Sequence, residues 1–419
     1  MGFDVEKWQE ILRTLGRHKL RTLLTAFGVF WGIFMLTVLL GSAKGLEKGV
    51  YAGFPEIGNF VTIWTQGTTQ VPYAGMPVGR EITLRPADAD AVARDVSSVG
   101  FVRGQNSIGL WNGTAPTVVR NSKSGAFSIQ GGFAMIERLE ALRIIEGRSL
   151  NEFDERERRK VALIGRRVAA QLFEPGEEVL GQVIKINDIS FTVVGVFASL
   201  QRGNEQQEEE RMYVPSTTVR HAFNQADRVG NLLIVPKPGV HAKVAEEDVK
   251  RYLAQLHKIS PDDIGVLRSF NLQDESDKVE GLFAGIKGFS WIVAVGTILA
   301  GAIGVGNIML IVVKERTREI GLRKALGATP FSIVMMIMQE ALFITVVAGY
   351  TGLVLGALII EGIAKLMAGG TAGFFGAPEV EFGTALVALA VLVIAGVFAS
   401  LLPAAKAAAV NPIVALQDE

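Results

Sequence analysis

Four stretches of this chain are apolar and long enough to cross a bilayer: residues 22–43, 288–313, 341–360 with an apolar lead-in from 331, and 382–405. Residues 22–43, 288–313, 341–360 and 382–405 contain no charged residue, and the lead-in from 331 ends on Glu340. About 18 consecutive apolar residues mark a transmembrane helix, because a helix rising about 1.5 Å per residue needs about 20 to cross a hydrocarbon core about 30 Å thick. Hydrophobic residues make up 49% of the chain, but the 20% that are charged are too many for a wholly buried protein. Apolar and polar phases must therefore occupy separate segments.

Basic residues near span ends set the orientation, since Lys and Arg resist translocation while acidic residues matter little. Lys7, Arg13, Arg17, Lys19 and Arg21 precede the first span; Lys314, Arg316, Arg318, Arg323 and Lys324 follow the second. Both flanks are expected in the cytoplasm. Residues 361–381 offer only Lys365 beside Glu361, Glu379 and Glu381, so that loop is expected outside. The expected division is then a cytoplasmic amphipathic helix (1–21), a first span (22–43), an outer domain with stalk helices (44–287) and a second span (288–313). A cytoplasmic loop or helix (314–330), a third span (331–360), a short external loop (361–381), a fourth span (382–402) and a cytoplasmic tail (403–419) complete it. Trp8, Ile11, Leu12 and Leu15 keep i, i+3, i+4, i+7 spacing, which suits a helix lying on the inner membrane surface. The first span outruns the 7–15 residues of a signal h-region and reads as an uncleaved anchor. With no cysteine, the outer domain cannot use disulfides.

The outer segment mixes short strands with amphipathic helices. Strands are expected near 60–65, 117–120, 161–164, 190–196, 212–214 and 231–235, and helices near 86–96, 166–172, 216–223 and 241–257. Pro86 suits the first helical position, and Ser216 a cap. The interleaving predicts an α+β domain of split βαβ-type units, so the fold class is a four-span helical membrane protein with a large α+β extracytoplasmic domain between spans 1 and 2. Residues 67–79 read as an exposed Gly- and Pro-rich connection and 203–211 as a solvated acidic loop. Val279, Leu282, Phe283 and Ile286 keep helical spacing ahead of the second span, so residues 274–313 are expected to form one helix about 60 Å long. Residues 44–50 extend the first span in the same way.

Catalytic signatures are missing. The sequence contains no G-x-x-x-x-G-K-[ST] phosphate loop, no H-E-x-x-H and no G-x-S-x-G. His221, His241 and His257 lack metal-ligand spacing. Lys plus Arg equals Asp plus Glu at 42 each, which gives no steer toward nucleic acid. Such a domain is expected to bind and move, with no cofactor of its own. Glu340, about two turns into the third span, is expected to hydrogen-bond a neighbouring helix.

Residues 315–326 read as a short helix in which Ile320, Leu322 and Leu326 stand among charges, a pattern suited to a partner's cleft. Charges after a span also anchor topology, but a stop signal needs neither the mixed Glu and Arg order nor an apolar face. Gly327 and Pro330 are expected to end this helix. Inside the spans small residues recur four apart: Gly28 and Gly32, Ala302 and Gly306, Gly352 and Gly356, Ala395 and Ala399. They let helix backbones approach closely, within one subunit or between two.

Three segments carry a resemblance: residues 307–330 (NIMLIVVKERTREIGLRKALGATP), residues 401–416 (LLPAAKAAAVNPIVAL) and residues 146–197. They are similar to the coupling segment, closing stretch and periplasmic core domain of the MacB-like, mechanotransmitting ABC transporter permeases, also called FtsX-like permeases. The resemblance implies a multi-pass protein of the bacterial inner membrane, with its large domain in the periplasm. It further implies a homodimer or related heterodimer and an ABC ATPase subunit, supplying ATP and Mg, docked on the cytoplasmic side. A periplasmic adaptor and outer-membrane channel belong to its efflux branch. The resemblance places Glu315, Arg316, Thr317, Glu319, Ile320, Leu322, Arg323, Lys324, Leu326 and Gly327 against the ATPase. It sets spans 1 and 2 centrally, which points to Gly28 and Gly32 as a dimer contact. Residues 146–197 and 307–330 look more like the macrolide exporters than the lipoprotein-release branch, so efflux leads and lipoprotein release is the alternative. A ligand-sensing membrane receptor is a reading from a different class.

Overall fold

The computed structural model describes residues 19–109, 114–201, 204–368, 378 and 382–411. The amphipathic run up to His18, most of the 361–381 loop and the tail beyond Asn411 lie outside the described residues. The chain divides into two compact units, Met1–Gly49 with Leu282–Glu419, and Val50–Gly281.

The first unit is built of α1 (Lys19–Tyr51) as far as Gly49, α2 (Leu272–Glu315) from Leu282 onward, α3 (Thr317–Ala325), α4 (Pro330–Ala368) and α5 (Phe382–Ala408). All but α3 are long and apolar enough to cross a membrane. α1 continues through the expected extension, and the 44 residues of α2 make a helix about 66 Å long, roughly twice the hydrocarbon thickness. Small residues set the packing order. A Cβ on Gly301 would stand 2.8 Å from Val29 N, one on Gly352 2.6 Å from Phe30 O, and one on Gly306 2.9 Å from Ala399 O. α1 therefore packs on α2 and α4, and α2 packs on α5. Gly396 against Thr345 joins α5 to α4, so the four long helices close a cycle around Val29, Ile298, Val305, Ile337 and Leu392. On α1 and α2, Glu47 pairs with Lys44 (3.3 Å) and with Lys287 (3.0 Å).

The second unit holds two lobes. In the first, four antiparallel strands lie in the order Leu267–Asn271, Val61–Thr65, Asn231–Pro236, Val99–Gln105. Helices Pro86–Asp95 and Ala242–Leu256 follow the first and third of these in chain order, which gives the split βαβ pattern expected. Pro86 sits at the helix start as expected. The second lobe is inserted after Gln105 and carries a nine-stranded mixed sheet. Phe60, Leu233 and Leu272 share a core with Phe133, Leu139 and Tyr213, which fuses the two lobes.

Several expectations give way here, in whole or in part. Ser216 is not a cap: Pro215 holds that position, and the buried Ser216 hydroxyl donates to Gly104 O at 2.7 Å. The 67–79 connection is exposed over most of its length as expected, and Asp263 anchors it by accepting from Gln70 N (2.7 Å) and Val71 N (3.3 Å). The acidic run is solvated only in part: residues 204–207 and Glu210 are exposed, but Glu208 and Glu209 are not. Glu208 and Glu209 are 3% and 2% exposed, because Arg211 Nη1 meets Glu208 at 2.6 Å and Arg166 Nε meets Glu209 at 3.1 Å.

Glu140, which feels the charges of Arg211 and Glu208, titrates abnormally. Desolvation pushes the Glu140 carboxyl up to about 7; Arg211 opposes the shift and Glu208 adds to it. Gln130 donates to Glu140 at 3.4 Å, while Tyr213 OH and Gln130 Oε1 find no partner among the described residues. A carboxyl raised in the fold keeps its proton longer than in the unfolded chain. Its contribution is therefore intact near pH 4.5 and falls as pH rises toward 7, by about 3 kcal/mol. Glu140→Gln is expected to remove that slope. Thermal unfolding of the outer domain at pH 8 should then move up by about 5–10 °C toward its pH 5 value. An unchanged pH profile would show that Glu140 is not the titrating group.

Candidate functional site

The ten residues assigned to coupling from the sequence lie together around α3, but they do two different jobs. Glu315 ends α2 and is exposed, and a single-residue break at Arg316 separates it from α3. Thr317 caps the α2 terminus, its hydroxyl donating to Val313 O and Lys314 O. The guanidinium of Arg316 reaches Glu319 (3.3 Å) and the buried Glu340 of α4 (3.4 Å), the interhelical role expected of that acid. Arg323 joins Glu319 (2.9 Å) and also meets Met336 of α4. Lys324 Nζ donates to Ala408 O (2.8 Å) and Val410 O (2.7 Å), placing a cation on the open carbonyls at the end of α5. Ile320 is buried in the core of the membrane unit. These groups staple α3 to α4 and α5.

The remaining face points outward and mixes apolar groups with one cation, since Arg318, one turn before Leu322, is exposed beside it. Leu322 is 50% exposed, Leu326 80% and Phe331 70%. Gly327 takes φ +98, a left-handed conformation that favours glycine, and ends α3 as expected. α3 therefore has an inner, ion-paired side and an outer side with unfilled leucines. The sequence pattern mixed the two, since Glu340, Met336 and Ala408 lie far along the chain.

The close approach at Gly28 and Gly32 is made within the chain. Positions for added Cβ atoms there fall against Gly301 and Ile298 of α2, so the expected dimer contact at these glycines gives way to intrachain packing. Ala302 is buried, and Gly306 meets α5. Open space instead adjoins Gly285, Gly288 and Gly296 on α2, beside the exposed Phe289 and Ile292. Spacing alone does not separate these glycines from the packed ones.

In the outer unit His241, Asp274 and Asp277 each bring a ligand atom within 4.8 Å of the others. His241 Nδ1 accepts from Lys243 N as a helix cap, so Nε2 carries the proton toward Asp277 at 3.2 Å. That tautomer offers a metal no lone pair.

Residues 22–252 match the family of the MacB-like periplasmic core domain, and residues 291–412 the FtsX-like permease C-terminal domain. Among curated relatives, the macrolide export ATP-binding/permease protein MacB of Nitrosomonas europaea is 28% identical, over 97% of this chain and 58% of its own. The pyoverdine export ATP-binding/permease protein PvdT of Pseudomonas putida is 29% identical, over 100% of this chain and 60% of its own. This chain thus spans about three fifths of the length of these relatives. The crystal structure of the MacB periplasmic region from Actinobacillus actinomycetemcomitans aligns over 54% of this chain and 94% of its own, at 23% identity and a TM-score of 0.42. With four apolar helices and a large α/β domain between the first and second, the chain belongs to the MacB-like, FtsX-like family of ABC transporter permeases.

Proposed function

We propose that the chain is the permease subunit of an exporter in the bacterial inner membrane, driven by an ABC ATPase on a separate polypeptide. ATP binding closes the ATPases against α3, and the continuous α2 carries the displacement to the periplasmic domain. The observation that carries this reading is the double character of α3. Arg316, Arg323 and Lys324 fasten it to α4 and α5, while Leu322 and Leu326, with the exposed Arg318, stay open for a partner. The spans serve as force-transmitting rods, since their lining has few polar groups for a hydrophilic conduit. Two copies pair through α2, where Gly285 and Gly296 leave room for a second helix. The relatives named for macrolide and pyoverdine export favour efflux; a periplasmic adaptor and an outer-membrane channel are the further partners this reading expects.

Affinity purification from native membranes tests the reading. Recovery of a P-loop ATPase with the chain is the expected result, and a co-purifying adaptor supports efflux. Recovery of a signalling protein and no ATPase would make the chain a receptor instead.

A further inference from the structure

An open groove of about 480 Å³ runs between α2 and α5, within the roughly 300–1,000 Å³ typical of small-molecule sites. Its floor is Ala302, Gly306 and Ala399, where the two backbones nearly touch. Its walls are apolar and exposed, Ile303 to 64% and Phe398 to 68%. Asn307 is the exception. Its exposed amide makes no hydrogen bond among the described residues and lies six residues, about 9 Å, inside the charge-free end of α2 at Val313. An amide there is costly against hydrocarbon alone but suits the glycerol and ester oxygens of a lipid.

The faces that line the groove continue by one turn to charge. Leu310 is followed at i+4 by Lys314 on α2, and Leu402 at i+4 by Lys406 on α5. Both lysines are exposed, and neither makes an ion pair among the described residues. An apolar trough, then an amide, then two cations at the mouth matches one molecule: an acyl chain, its ester linkage and an anionic headgroup.

We infer that the α2–α5 groove binds an anionic phospholipid, with its headgroup between Lys314 and Lys406. A lipid there would wedge the two helices whose cytoplasmic ends flank α3, which gives membrane composition a hold on coupling. The placement in the inner leaflet rests on the orientation proposed above; the binding itself does not.

The test is native mass spectrometry of the full chain in detergent, titrated with phosphatidylglycerol and with phosphatidylethanolamine. The intact chain is expected to retain phosphatidylglycerol preferentially, and K314Q with K406Q to lose about 30-fold of that preference, a factor of about five per lysine. Equal retention of the two lipids by the intact chain, or a preference untouched by the double variant, would overturn the site. A second measurement keeps the lysines. Phe398→Cys labelled with bimane in bilayers is expected to be quenched more by brominated phosphatidylglycerol than by brominated phosphatidylethanolamine. Equal quenching, or disulfide-linked dimers through Cys at 398, would instead assign the groove to bulk lipid or to a second copy. Neither measurement needs an ATPase, so their failure leaves the permease reading standing, and the loss of an ATPase partner leaves the lipid site.

Discussion

Aspartate at both Leu322 and Leu326 is expected to lower capture of the ATPase at least tenfold while leaving the membrane unit folded. Burying a leucine contributes about 1.5–3 kcal/mol, and an unpaired carboxylate in the same cleft adds a desolvation cost. Two such changes at the centre of an interface exceed the 1.4 kcal/mol of a tenfold effect. Both leucines are largely exposed here, so the folded chain loses little. Reversing Arg316 and Arg323 is a less clean experiment, because both already brace α3 through Glu319 and reach α4 at Glu340 and Met336. Their loss is expected to unsettle the bundle itself. Unchanged capture by the double aspartate variant would remove the outer face of α3 from the coupling site.

Gly352→Leu and Gly296→Leu are expected to fail in opposite ways. A side chain at position 352 meets the backbone oxygen of Phe30 at 2.6 Å, which cannot rotate aside, so α1 and α4 must part. Overpacking of this kind costs about 3 kcal/mol or more, seen as a clear drop in the thermal midpoint of the membrane unit. At Gly296 nothing lies within 4 Å. Leucine there is expected to leave the midpoint unchanged and convert dimer to monomer, as read by light scattering in detergent. A folded Gly296→Leu dimer would place the subunit contact elsewhere than on α2.

How much of this was legible beforehand depends on how local the cause is. The spans and the continuous α2 follow from uncharged runs and from helical spacing at Val279, Phe283 and Ile286, which need no tertiary knowledge. Strand Ser128–Gly132 was hidden because its glycines look like turn residues. They are small because Gly131 faces Ser216 and Gly132 faces Leu150. Glu208 and Glu209 looked solvated because one of their countercharges, Arg166, lies 43 residues away. At α3 the sequence marked a short helix but not its sidedness. Whether Lys324 faces a partner or the end of α5 is decided by a helix some 80 residues further on.

Because the chain contains no cysteine, one introduced at the 83% exposed Ile264 of the outer domain reports without background. Dipolar spectroscopy between spin labels at this position in the two copies, within the complex purified with its ATPase, tests whether ATP moves the periplasmic domains. The expected result is a distance distribution that shifts on adding ATP and Mg and returns after hydrolysis. An identical distribution in both states, from a sample whose ATPase turns over, would contradict transmission of force through α2.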